Sequence, residues 1–152
     1  MYSWIDNIVL GLKESYKTDD VYEIYDELNI IIRKIEPSNI LLQGNDSLYT
    51  RDYLGDEFVL IRNDLEASLE KFILFHELGH ALLHVDVIRA AFNRTFINKH
   101  KLEKQANYFA FKMINLKFDS VTMEGMTLEQ IAGYSKVPYD VFCEFINLLI
   151  LK

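Results

Sequence analysis

The segment His76-Glu77-Leu78-Gly79-His80 places two imidazoles and a carboxylate within one short stretch of the chain. On an α-helix, positions i and i+4 lie about 40° apart around the axis and about 6 Å apart along it. Two imidazoles spaced in this way can bind one zinc ion, each at about 2.0–2.1 Å. Glu77 lies beside them, where it can take a proton from an attacking water and deliver it to a leaving amine. The spacing therefore predicts a hydrolytic zinc site on a helix.

A catalytic zinc ion normally has three protein ligands, so the two histidines need a partner. His84 lies about 12 Å along the helix axis from His76, too far to share a metal, and is expected behind the site or in its cleft wall. Glu103 is the better candidate, because it lies on the next helical segment with Asn107 one turn later. The amide of Asn107 could then accept a hydrogen bond from a ligand histidine. The alternatives for the third ligand are His100, Asp86, Asp119 and Glu124.

The elements that must position these residues follow from the spacing of apolar side chains. Apolar positions three and four apart predict helices, and short β-branched or alternating runs between turn residues predict strands. The predicted helices span 2–16, 18–28, 67–85, 100–116, a short segment opened by the capping box at 127–130, and 138–149. The predicted strands span 30–35, 47–53 and 57–62, with 40–43 the weakest candidate. This order predicts an α+β domain with a small, mostly antiparallel sheet arranged as a meander.

Gly79 lies inside the predicted zinc-binding helix, where glycine costs about 1 kcal/mol relative to alanine. A close contact with another helix would explain its presence. Ala106 and Ala110 are small residues on the helix that carries Glu103. The sequence therefore predicts that these two helices approach each other closely near Gly79.

The composition disfavours several classes of function. Sixteen Lys and Arg against 23 Asp and Glu give a net charge of −7, the reverse of the basic surplus typical of nucleic-acid binders. Cys143 is the single cysteine, so no internal disulfide is expected. The first residues lack the basic start of a secretory signal, and the apolar run at 145–151 is too short to span a bilayer. We expect a cytoplasmic protein that binds neither membranes nor nucleic acid.

The C-terminal residues 127–149 have the apolar spacing of a DNA-binding helix-turn-helix. The second of these predicted helices has no Lys or Arg, and it carries Asp140 and Glu144. Such a helix would repel phosphate. A packing pair of helices or a substrate-recognition surface is the preferred interpretation, and DNA binding is the weakest hypothesis.

Two segments together resemble the ImmA/IrrE family of zinc metallopeptidases. They are FILFHELGHALLH at 72–84 and EKQANYFA at 103–110. The pattern also resembles that of the wider gluzincins, in which a glutamate on a downstream helix completes the zinc site. The resemblance covers about residues 20–116.

The resemblance implies a role for each matching residue. His76 and His80 would be zinc ligands, Glu77 the general base and Glu103 the third ligand, while Asn107 matches the asparagine of the second motif. Members of this kind are often encoded by phages and mobile elements beside a repressor gene. They act as anti-repressors by promoting specific cleavage of that repressor. The implied cofactor is zinc, and the implied partner is a protein substrate, a transcriptional repressor.

Taken together, these observations predict one zincin-like metallopeptidase domain over residues 1–152. Its catalytic core would span 18–116, and a helical C-terminal appendage 120–152. The strand at 57–62, just before the zinc helix, is a candidate for the edge of the sheet, where a substrate could add as a further strand, but an ordinary sheet core explains Phe58 and Leu60 as well. The side chain that steadies the oxyanion is left open among Tyr53, His84, His100 and Tyr108. The alternative function is a non-catalytic anti-repressor that binds its protein partner on the same fold.

Overall fold

The computed structural model describes residues 2–85, 99–116 and 121–147. Within these ranges the chain forms six α-helices and a three-stranded sheet, which confirms the α+β class. In chain order the elements are α1 (Ser3–Tyr16), α2 (Val21–Glu27), β1 (Ile30–Ile35), a 3-10 turn (Ile40–Leu42), β2 (Ser47–Arg51), β3 (Glu57–Arg62), α3 (Ala67–Leu83), α4 (Lys99–Ile114), α5 (Leu128–Ser135) and α6 (Tyr139–Phe145). Asp86 and Asp119, two of the alternative metal ligands, lie outside the described residues.

The helix starts follow from local sequence. Asp20 caps α2 by accepting a hydrogen bond from the backbone N–H of Tyr22 at 2.9 Å. Thr127 and Gln130 form the reciprocal capping box that opens α5, as predicted. Pro138 immediately precedes α6, a position where its missing N–H leaves no hydrogen bond unmade. No helix in the described parts of the chain is both long and apolar enough to cross a bilayer.

The sheet has the order β1-β3-β2, so it is mixed rather than mostly antiparallel. β1 pairs with β3 in parallel, and β2 pairs with β3 antiparallel. The prediction of a mostly antiparallel meander was therefore wrong, and of the two positions left open for the strand at 57–62, edge or core, the structure shows the core. β3 is the central strand, and its Val59 and Ile61 are fully buried. The physical reason is that the chain leaves a gap beside β1 when it forms β2, and β3 then fills this gap and pairs with both strands.

The closest helix contact in the site region joins α3 to α4. A Cβ built on Gly79 would lie 3.1 Å from the Cα of Ala106 and 3.3 Å from its carbonyl oxygen. Any larger residue at this position would push the backbone of α4 away by a few tenths of an ångström, so glycine favours the close approach that the sequence predicted. The contact sets the distance between the face of α3 that carries the histidines and the face of α4 that carries Glu103.

The C-terminal pair α5–α6 packs onto α4 and shares its hydrophobic core. The Phe145 ring of α6 lies 5.4 Å from that of Tyr108 and 5.6 Å from that of Phe111, measured between centroids. An ion pair between Lys104 and Glu144, 2.7 Å long, joins the same two helices at the surface. As a result α6 is held beside the part of α4 that carries Glu103.

Candidate metal centre

Three side chains from α3 and α4 converge at one point. The Nε2 atoms of His76 and His80 lie 3.1 Å apart on one face of α3. The two carboxylate oxygens of Glu103 lie 3.4 Å from Nε2 of His76 and 3.5 Å from Nε2 of His80. In the described part of the chain, this is the cluster of His, Cys, Asp or Glu side chains close enough to hold a metal ion.

These separations fit a tetrahedral zinc site. Ligand atoms about 2.0–2.1 Å from a tetrahedral ion lie about 3.3 Å from one another. The distance between the two Nε2 atoms, and the distance from each of them to one Glu103 oxygen, lie within a few tenths of an ångström of that value, with each histidine near a different oxygen. Two imidazoles with one carboxylate are a donor set that zinc accepts. The residues could hold the ion with little movement of their side chains.

The electrostatics of the cluster favour a charged carboxylate between the two imidazoles. Hydrogen bonding to His76 and His80 is the largest influence on Glu103, and it holds the pKa of this carboxyl well below its usual range. Burial acts to lower the pKa of His76, but the carboxylates of Glu103 and Glu77 outweigh it and the net pKa is raised. A metal cation bound between the three side chains would be attracted by the Glu103 carboxylate in the same way as a protonated imidazole is.

Glu77 lies next to this cluster and is 6% exposed. Its carboxylate accepts hydrogen bonds from strand β2, one from the Ser47 hydroxyl and one from the backbone N–H of Tyr49 at 2.9 Å. Neither donor was predicted from the sequence. Ser47 and Tyr49 are two residues apart in a strand, which places them on the same face of the sheet, but this spacing does not indicate which helix that face contacts.

Each of the two histidines also makes a hydrogen bond through its second ring nitrogen. Nδ1 of His76 lies 2.8 Å from Oδ1 of Asn107, the contact expected of that asparagine. Nδ1 of His80 lies 3.0 Å from Nδ1 of His84. His84 is buried behind the site, and burial together with the neighbouring His80 lowers its pKa. Nε2 of His84 lies 3.2 Å from Oε1 of Gln105, a contact that was not predicted from the sequence.

A cavity of about 840 Å³ opens over the cluster. Strand β2 forms one wall, α3 and α4 form the floor, and Pro138, Asp140 and Val141 at the start of α6 lie on another side. His84 is among the lining residues, whereas His100 lines a neighbouring cavity beside Glu103.

The remaining candidates from the sequence lie elsewhere. Tyr53 is 95% exposed at the turn between β2 and β3, and it does not line the cavity. The Tyr108 hydroxyl donates to Asp6 of α1 at 2.9 Å, so it points away from the cluster. Glu124 does not belong to the group of side chains that converge on the metal position. Of the four candidates for the oxyanion, only His84 lines this cavity.

Comparison with known proteins agrees with a metallopeptidase site. The chain matches peptidase family M78, described as the IrrE N-terminal-like domain, over residues 26–147. It is 33% identical over 142 residues to metallopeptidase ImmA of Bacillus subtilis (strain 168), which covers 88% of this chain and 79% of the relative. It is 29% identical over 143 residues to uncharacterized immunity region protein 2 of Bacillus phage phi105, covering 92% and 87%. No solved structure gives a significant match.

These matches first define the class, a metallopeptidase. More specifically, the chain belongs to the M78 family with the IrrE N-terminal-like domain, so the resemblance to ImmA and IrrE is confirmed.

Proposed function

We propose that this protein is a zinc-dependent endopeptidase that cleaves one specific protein, the transcriptional repressor of a phage or mobile element, and so relieves repression. One observation carries the proposal: the Nε2 atoms of His76 and His80 lie 3.1 Å apart, and each lies within 3.5 Å of a Glu103 oxygen, with Glu77 on the same helix as the histidines. The names of the relatives, a metallopeptidase and a phage immunity-region protein, support the choice of substrate. A repressor is a cytoplasmic protein, so we propose the cytoplasm as the site of action.

In this proposal His76, His80 and Glu103 are the three zinc ligands. A bound zinc ion would polarise the peptide carbonyl. It would also lower the pKa of a water molecule, so that near neutral pH the water can lose a proton and attack the carbonyl carbon. Asn107 would hold the ring of His76 in the ligating orientation, since its amide oxygen accepts from Nδ1 and leaves Nε2 free for the metal.

Glu77 is the proposed general base. Ser47 and Tyr49 donate to its two oxygens, which fixes the carboxylate beside the metal position. Glu77 would take a proton from the attacking water as the oxygen bonds to the carbonyl carbon. It would then give that proton to the amide nitrogen as the carbon–nitrogen bond breaks. The peptide bond and one water thus become one carboxylic acid and one amine, and Glu77 returns to its starting charge.

The substrate would lie along β2 rather than along β3. In an antiparallel pair, alternate residues direct their N–H and C=O groups away from the partner strand. Tyr49 is such a residue, because its N–H reaches Glu77 instead of β3. The free edge of β2 therefore runs beside the proposed base, where an added peptide strand would bring its scissile bond to the metal position.

We also propose that the catalytic core at 18–116 does not recognise the substrate alone. Pro138, Asp140 and Val141 of the C-terminal segment lie along the cavity that contains the metal cluster. The appendage at 120–152 would then help to select the substrate, a role that its acidic second helix suits better than DNA binding.

The test uses the zinc-loaded protein and the repressor encoded beside its gene. Wild type should convert the repressor into two fragments with one new terminus by mass spectrometry, and Glu77→Gln should bind equal zinc and cleave nothing. An intact repressor after prolonged incubation with the loaded wild type, or full cleavage by Glu77→Gln, would refute the peptidase. Relief of repression by Glu77→Gln with the repressor intact would support the binding-only alternative.

A further inference from the structure

We infer that His84 and Gln105 are positioning residues for the metal ligand His80: together they fix which nitrogen of His80 carries the proton and which faces the metal. The inference rests on the proposed function, because it assumes that His80 binds zinc. It adds a role for Gln105, which no sequence motif indicates, and a direction for each hydrogen bond behind the site.

The direction of the hydrogen bonds follows from the geometry. Nε2 of His80 faces the cluster, 3.5 Å from Glu103, so its lone pair must be free for a metal and the ring proton must lie on Nδ1. That Nδ1–H points at Nδ1 of His84, 3.0 Å away, which must therefore accept. The proton of His84 is consequently on its Nε2, which lies 3.2 Å from Oε1 of Gln105, and an amide oxygen can accept it.

The metal-binding role of His80 selects this arrangement. His84 is 4% exposed and Gln105 is 7% exposed, so each needs a hydrogen-bond partner within the protein. A buried donor without an acceptor is destabilising, and here each ring N–H has one acceptor. A proton on Nε2 of His80 would occupy the metal-binding nitrogen, and His84 and the Gln105 amide would then both have to reverse their hydrogen bonds.

Helix α4 provides the last acceptor behind each ligand histidine. His76 is oriented directly by Asn107, whereas His80 is oriented through the imidazole of His84 and then by Gln105. The same helix also carries Glu103. The three metal ligands are therefore fixed relative to one helix, two of them through their second ring nitrogens.

The experiment measures the zinc dissociation constant of the full chain by competition with a chromophoric chelator. We expect His84→Phe, which keeps a ring without nitrogens, to weaken zinc binding about 10- to 100-fold. Gln105→Leu, which keeps a bulky side chain and removes the acceptor, should weaken it by a smaller factor. His84→Gln retains an acceptor for His80 and should recover part of the affinity. The visible spectrum of the cobalt-substituted protein should change in the same order.

The matched control is Tyr25→Phe. The Tyr25 hydroxyl is buried and donates to the Leu74 carbonyl of α3 at 2.6 Å, not to a ligand histidine, His84 or Gln105. Its loss should lower the melting temperature and leave zinc affinity unchanged. Equal weakening by Tyr25→Phe would attribute the effect to a loosened helix and overturn the inference.

The outcomes separate this inference from the proposed function. If wild type binds zinc tightly and both Gln105→Leu and His84→Phe bind it equally well, the positioning role is refuted and the peptidase proposal stands. If wild type binds no zinc, both fail. Should His84→Phe not fold, Gln105→Leu alone decides, because it changes no residue in contact with a ligand.

Discussion

The two halves of α3 each bury one glutamate, and the surroundings of the two differ. Glu70, near the start of the helix, is 8% exposed and accepts from the Tyr22 hydroxyl and from the Lys34 ammonium, the latter at 2.8 Å. Glu77, two turns later, is 6% exposed and accepts from the Ser47 hydroxyl and the Tyr49 backbone N–H. One carboxylate is paired with a cation and the other only with neutral donors.

This difference separates a structural carboxylate from one suited to proton transfer. The ammonium of Lys34 neutralises Glu70 and ties α3 to β1, so protonating Glu70 would break an ion pair. The donors to Glu77 hold its position without cancelling its charge, and the metal position lies beside it. Burial is alike in the two residues, so their partners and the neighbouring metal position decide which one can act as a base.

The largest effect should come from exchanging each glutamate for its amide. Glu77→Gln should lower the cleavage rate by at least about 10³-fold with zinc content unchanged, since the amide cannot take a proton. Glu70→Gln should keep cleavage within a few-fold and lower stability by about 1–2 kcal/mol, because Lys34 loses a charged partner. Rates on the repressor and urea unfolding of both variants measure this contrast. Comparable loss of cleavage in the two variants would contradict the assignment.

Substitution at Gly79 should disturb only the half of α3 that carries the histidines. In Gly79→Ala the new methyl would meet the backbone of Ala106, which can move only if α4 moves. We expect a loss of about 1–3 kcal/mol in unfolding free energy. Zinc binding should also weaken, because α4 carries Glu103. Chemical unfolding of the metal-free protein and zinc competition provide the two measurements.

The control is Gly133→Ala in α5, where an added Cβ meets no atom within 4 Å. There alanine should stabilise the helix by about 0.5–1 kcal/mol and leave zinc affinity unaltered. If the two glycine variants behaved alike, the close approach of α3 and α4 would not be what positions the ligands.

The contrast between the helix and the sheet also explains how much the sequence could predict. The positions of His76, Glu77, His80 and Gly79 on one helix follow from local periodicity, which a single sequence displays. Glu103 and Asn107 follow for the same reason, since they lie one turn apart on the next helix. The close contact at Gly79 was predictable because a glycine inside a helix calls for an explanation.

The order of the strands was not predictable in this way. A run such as Glu57–Arg62 has the same residue types whether it is central or at an edge, and the pairing depends on where the loops carry the chain. Because the strand at 57–62 was the one considered for the sheet edge, the position of β2 beside the site was not predicted. The contacts of Ser47 and Tyr49 with Glu77 were therefore not predicted either. The role of Gln105 was not predicted because no sequence pattern distinguishes a buried glutamine from an exposed one. Its contact with His84 is seen only in the folded structure.

A smaller effect should follow from removing one of the two donors to Glu77. In Ser47→Ala the Tyr49 N–H still holds one carboxylate oxygen, so the base remains in place but is less well fixed. We expect kcat to fall about tenfold, the equivalent of one hydrogen bond to a charged group, with KM nearly unchanged. Ser47→Thr, which keeps the hydroxyl, should recover most of the rate.

Ser68→Ala is the matched control, because Ser68 also donates its hydroxyl to a glutamate, Glu66, at the start of α3 and away from the cavity. This variant should retain the wild-type kcat. An equal loss in the two serine variants, or a loss confined to KM in Ser47→Ala, would argue against Ser47 as a positioning residue for the base.

The smallest effect extends the comparison to a third glutamate, Glu57 of β3, which Arg51 contacts at 2.7 Å and to which the Tyr49 hydroxyl also donates. Burial acts to raise the pKa of Glu57, but these two donors outweigh it and lower the net pKa below the ordinary 4.5. A carboxyl with a lowered folded pKa stabilises the fold above its unfolded pKa, and this contribution is lost as the pH falls through the folded value. The side chains of Arg51 and Glu57 are 26% and 24% exposed, and solvent screening should hold the contribution to at most about 1 kcal/mol. In metal-free protein, Glu57→Gln should therefore slightly flatten the fall in melting temperature between pH 5 and pH 3, because a fraction of a proton fewer is taken up on unfolding. A fall as steep as that of wild type would show that the Arg51 pair contributes nothing.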